Sequence, residues 1–151
     1  AHLPRRDTLL SVTSITREST GIMVHQRVEK WESKLNDMLR QVDLELEAQF
    51  GSRLPLHPAR PANGLTSNPQ QDGLFRVTAS FTAGFGSTLG KGYVVHIEAV
   101  TLEAVPAALR KEIEHLAAER IGLGLKTAFP GADLAVQRDG AVWKIVGDLH
   151  L

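Results

Sequence analysis

Between Phe75 and Ala83 apolar and polar residues alternate one for one: Phe75, Val77, Ala79, Phe81 and Ala83 share one side, with Arg76, Thr78, Ser80 and Thr82 on the other. That period of two predicts a half-buried strand. A second such run, with Tyr93, Val95, Ile97 and Ala99 on its apolar side, follows a glycine-rich loop. A hairpin folded symmetrically about Thr88 sets Phe81 opposite Val95 and Ser80 opposite His96, and it brings both apolar sets onto one face. From Gly21 the period lengthens to steps of three and four through Val24, Val28, Trp31, Leu35, Met38, Val42, Leu46 and Phe50, which predicts a long amphipathic helix. Ser19 or Thr20 is its candidate N-cap and Gly51 its stop. At about 30 residues, roughly 45 Å, this helix outruns hairpin strands of roughly 30 Å and is expected to overhang the sheet.

A second helix opens at Pro106, which suits a first helical position. It carries Leu109, Ile113, Leu116, Ala117, Ile121 and Leu125 on one side and stops at Phe129-Pro130-Gly131. Gly122 and Gly124 inside it predict fraying or a close approach by a neighbour. Leu134, Val136, Trp143 and Ile145 then form an apolar face across Asp139-Gly140, the signal of a type I′ hairpin. The order helix, strand, strand, helix, strand, strand predicts an α+β fold, with a four-stranded antiparallel sheet built from two hairpins and both helices on one face. A weakly patterned segment at 1–20, where Leu9, Leu10, Val12 and Ile15 suit a short strand, precedes a single domain at 21–151. Trp31, Phe75, Phe81, Val95, Ile97, Leu116 and Trp143 are its expected core.

Composition narrows the partners. In 151 residues, 17 Lys and Arg balance 17 Asp and Glu, so no overall field favours nucleic acid or an anionic membrane. The central strands also offer no exposed aromatic pair for base stacking. Cysteine is absent, which excludes disulfides, thiol nucleophiles and thiolate metal sites. No apolar run approaches the roughly 18 residues of a membrane span. The reading is a soluble chain with a cytoplasmic location favoured; its Ala1-His2 start is consistent with trimming or processing.

The chemistry is sparse. Gly84, Gly86, Gly90, Lys91 and Gly92 resemble a phosphate cradle only superficially, because Phe85 and Gly92 stand where a P-loop needs glycine and a hydroxyl residue. Ser80, His96 and Glu98 are the parts of an acyl-transfer triad, but a flat sheet face supplies no oxyanion hole. Glu112, His115 and Glu119 contain a single Glu-x-x-His step, where carboxylate-bridged metal sites use two. The segment 52–72, with Pro55, Pro58, Pro61 and Pro69, is long enough to be a functional loop, and Pro55-x-x-Pro58-x-Arg60 fits a polyproline II ligand.

These observations favour a non-catalytic binding or self-assembly module that needs no cofactor or metal. Its expected partner is a second copy of the chain; another protein or a small anion is also compatible. The overhanging helix, whose seam from Val24 to Val42 has coiled-coil spacing, supports assembly. So does the second sheet face, where Val94, Val100, Val142 and Val146 exceed what a solvated face requires. The alternative is a small enzyme or ligand-binding protein with an anion-accepting mouth at Arg53, His57, Arg60, Gly86, Gly90 and Lys91, contributed by the proline-rich and glycine-rich loops.

Overall fold

A computed structural model describes the backbone of residues 2–149 and the side chains of residues 26–149. Six elements follow in the expected order: α1 (His2–Phe50), β1 (Phe75–Thr82), β2 (Gly92–Ala99), α2 (Ala107–Ala128), β3 (Leu134–Asp139) and β4 (Val142–Gly147). The strands form one antiparallel sheet in the order β1-β2-β4-β3, so β1 and β3 are its edges. Chain contacts gather Lys34–Leu149 into one compact unit and leave the earlier part of α1 in another. The boundary falls within α1. Backbone helix also covers the expected short strand at Leu9–Ile15. Pro4 lies in the first turn, where its missing N–H is tolerated, and no glycine or further proline interrupts the chain before Gly21.

Within the larger unit, Leu35, Leu39, Val42, Leu46 and Phe50 of α1 are buried, as are Leu109, Ile113, Ala117, Ile121 and Leu125 of α2. Both helices cover the sheet face that carries Phe75, Val77, Tyr93, Val95 and Ile145. Leu35, Met38 and Val42, three of the six residues of the expected coiled-coil seam, are therefore buried within the chain; the side chain of Val24 lies outside the described residues.

Register brings a correction. Phe81 pairs with Tyr93, Ala79 with Val95, Val77 with Ile97 and Thr78 with His96, two residues from the symmetric fold about Thr88. A slip of two keeps every side chain on its face, so the apolar pattern alone does not distinguish the two registers. The core also differs in membership from the seven residues expected, with Trp31 among those that are buried. Phe75 and Val95 are buried, but Ile97, Leu116 and Trp143 are half-buried and Phe81 is 50% exposed. An edge strand has a neighbour on one side only, and the Phe81 ring meets Tyr93 edge-on at 5.6 Å.

Two turns also differ in detail. Asp139 pairs with Val142, leaving Gly140 and Ala141 as the central residues. Gly140 has φ of 62° and no described non-glycine residue has positive φ, the sign pattern of a type II′ turn and not of I′. Pro106 caps α2 from outside, its carbonyl accepting the Arg110 N–H. At Gly124 a neighbour does approach closely: an added Cβ would stand 2.6 Å from Met38 Cγ.

Candidate functional site

The residues of the expected anion mouth lie in two places. Arg60 sits in the loop before β1. Its Nε donates to Gly73 O, and one terminal nitrogen reaches the carbonyls of Gln70, Asp72 and Phe75 at 2.8–3.2 Å. Nearby, His57 Nδ1 accepts the Ala59 N–H, while the exposed Arg53 lies 6.0 Å from the Phe50 ring centroid. Gly86, Gly90 and Lys91 follow the other end of β1. Eight strand residues separate the two ends, about 25 Å at strand rise, and none of the described hydrogen bonds joins the two sets.

Around the glycine-rich loop the organising group is Lys144. It lies on the second sheet face yet is only 2% exposed, because the loop folds over it. Its ammonium donates to Gly90 O at 2.8 Å and Ser87 Oγ at 3.0 Å and pairs with Asp139 at 2.9 Å. Ser87 Oγ in turn donates to Asp139 at 2.6 Å, and these contacts with Ser87 and Lys144 hold the Asp139 carboxyl below its ordinary range. Gly84 closes the loop with φ of 82°, where a Cβ would run into the Gly90 carbonyl. A serine beside a lysine suggests a nucleophile and its base, but here Ser87 gives its hydroxyl hydrogen to Asp139 and accepts one from Lys144, so the lysine acts on it as a donor.

A second buried polar cluster runs along the outer edge of β1. Asp43 and Glu47, one helical turn apart on α1, accept from strand amides: Glu47 from Leu74, at 2.9 Å, and from Phe75, and Asp43 from Val77. Gln70 Nε2 donates to Val77 O, and Arg60 serves Gly73 O and Phe75 O. Asp72, 2% exposed, accepts from the amide and hydroxyl of Thr66. These side chains take the place of a neighbouring strand. Three carboxyls against one guanidinium leave an acid excess, and Asp43 titrates at about 8, raised first by burial and next by the Glu47 charge.

A concave apolar surface lies between the helices. Arg120 pairs with Glu45 at 3.4 Å while Gly124 faces Met38, so α2 runs antiparallel to α1. Between them a groove of about 500 Å³ is lined by Met38, Val42, Leu123, Gly124 and Ala128. Leu123 stands 50% exposed in it. Each end carries both signs of charge: Lys34 and Asp37 at one, Glu45 and Arg120 at the other.

The remaining sequence candidates resolve into ordinary contacts. Ser80 Oγ meets His96 Nε2 at 3.1 Å across a diagonal, not across a direct pair, while Glu98 pairs with Arg76 at 3.1 Å. Glu112, His115 and Glu119 are exposed on α2, and the neighbouring Glu114 accepts from Arg138 at 3.2 Å. No group of three or more metal-ligating side chains is placed to hold an ion among the described residues, and no described helix is long and apolar enough to cross a membrane. Sequence reading passed over Asp43, Glu47 and Lys144. The available signals were an acid line continuing Leu39 at steps of four, and a lysine between two valines near the Asp139 turn.

A family model described as "Uncharacterised protein" matches residues 26–147. A protein of Borreliella burgdorferi, also described as uncharacterized, is 40% identical over 118 residues, covering 78% of this chain and 92% of its own length. No solved structure matches the chain.

Proposed function

We propose that this chain, which belongs to the family of uncharacterised proteins matched over residues 26–147, is a non-catalytic self-assembly module whose α1–α2 groove receives a second copy. The observation that carries this reading is the groove itself, an open apolar surface with mixed charge at both ends. A two-fold axis across it sets Lys34 of one copy against Glu45 of the other and Asp37 against Arg120, giving charge complementarity as well as apolar contact. The polar clusters support the non-catalytic part. Arg60, Asp72, Ser87 and Lys144 are committed to holding loops and a strand edge. The anion-mouth alternative draws less support, since its two halves sit at opposite ends of β1.

Light scattering at tens of micromolar tests the proposal. The expected mass is at least two chains of 16.5 kDa, reduced by Leu123→Glu, which puts a charge in the groove. A wild-type mass of 16.5 kDa that does not change with concentration, or an identical mass for the variant, overturns it.

A further inference from the structure

In an antiparallel ladder alternate residues turn both N–H and C=O toward the partner strand, and the residues between them turn both away. Leu74 O accepts from Val100 N, so the even-numbered residues of β1 face β2 and the odd-numbered ones face outward. The outward groups of Phe75 and Val77 are occupied by Asp43, Glu47, Arg60 and Gln70. Among the described residues nothing serves the outward N–H and C=O of Ala79 and Phe81. This stretch, Ala79-Ser80-Phe81, also lacks the lysine, proline or bulge that commonly guards an exposed edge, and Phe81 is half exposed.

We propose that the open half of β1 is a second assembly contact, in which Ala79–Phe81 pairs antiparallel with the same stretch of another copy. A two-fold axis through Ser80 sets Ala79 opposite Phe81 of the second copy, in reciprocal hydrogen bonds on both sides of the axis. It brings the two exposed Phe81 rings onto a common face. The length of the open edge selects this occupant. Gln70 and Asp43 block the edge at Val77, so a longer extended peptide would run into them. The second copy's own strand ends at Thr82 and turns away at Gly84, just before it would meet that block. The contact is separate from the groove, and the two together give assemblies larger than a dimer.

Ala79→Pro tests it, because the proline removes an outward N–H without breaking the β1–β2 ladder. In the Leu123→Glu background the expected mass is two chains, falling to one with Ala79→Pro added. An unchanged mass on adding Ala79→Pro, or a Leu123→Glu protein already at one chain at the highest attainable concentration, overturns the edge contact. Failure of the groove reading looks different: Leu123→Glu then has the wild-type mass. Should Ala79→Pro fail to fold, amide exchange of the wild type decides. The Ala79 and Phe81 amides should slow at least about tenfold from dilute to concentrated protein, and rates independent of concentration reject the proposal.

Discussion

The two halves of β1 share one alternating pattern and end in different environments. At Phe75 and Val77 the side chains are buried and the outward backbone groups are met by two α1 carboxyls, Gln70 and Arg60. Four residues on, Phe81 is half exposed and its outward groups meet nothing described. Alternation thus decides which side of a strand an atom is on, while burial is decided by the neighbours on its open flank. An edge strand needs cover from outside the sheet. Here side chains of α1 and the proline-rich loop hydrogen-bond one half, and the last backbone they reach among the described contacts is Val77.

The largest expected consequence is a split between two phenylalanines on the same face. Phe75→Ala should cost about 3–5 kcal/mol, the usual range for a large core truncation. Phe81→Ala should cost less than about 1.5 kcal/mol, since half the ring is already in water and only part of its transfer free energy is lost. Denaturant unfolding of the two variants checks this, and equal losses would abolish the distinction between the halves.

Next in size is the guanidinium that ties the cover down. Arg60→Ala deprives a cluster of partly buried carbonyls of their donor, and hydrogen bonds from a charged group are worth about 1.5–3 kcal/mol. A loss of about 2 kcal/mol is expected, together with faster proteolysis within 52–72. Arg60→Lys should restore only part of it, because an ammonium carries the charge without the planar fork. Full rescue by lysine would mean that charge, and not the spread of donors, holds the loop.

The order of two helices and two hairpins and the faces of the strand residues were readable from periodicity and turn residues, because each is a local consequence of spacing; the helical backbone before Gly21 was not. The two-residue register offset was not, since slipping by two preserves the faces. The cover over β1 was not either. Asp43 and Glu47 read as the polar flank of an amphipathic helix, and only their placement beside strand amides some thirty residues later in the chain gives them partners. Lys144 and the glycine-rich loop meet across more than fifty residues. Contacts between residues so far apart leave no period to read.

The same acid cluster makes the smallest but most specific prediction. Asp43 has a folded pKa of about 8, raised from an ordinary 3.8 by burial first and by the charges of Glu47 and Asp72, with the Val77 N–H and Arg60 opposing. Glu47 is raised in the same sense, again chiefly by burial. An acid whose folded pKa lies above its unfolded value holds its proton more tightly when folded. Its contribution is therefore complete below the ordinary carboxylate range and is lost as pH rises toward about 8. Asp72 and Asp139 are lowered and act oppositely: burial pushes Asp72 up, but Thr66, Gly64 and Arg60 outweigh it, and both contributions disappear below pH 4. Between pH 6 and 8 the raised pair therefore dominates and stability should fall. The limiting slope for one proton is about 1.4 kcal/mol per pH unit and eases only as pH nears the folded pKa, so a fall of roughly 2 kcal/mol is expected over that window. Asp43→Asn keeps an acceptor for the Val77 N–H and cannot ionise. Its denaturant midpoint should stay nearly flat over the same range, with the wild-type slope diminished to what Glu47 contributes. A wild type whose stability rises from pH 6 to 8, or a variant with an unchanged slope, would show that the covered half of β1 is held by carboxylates and not by a carboxylic acid.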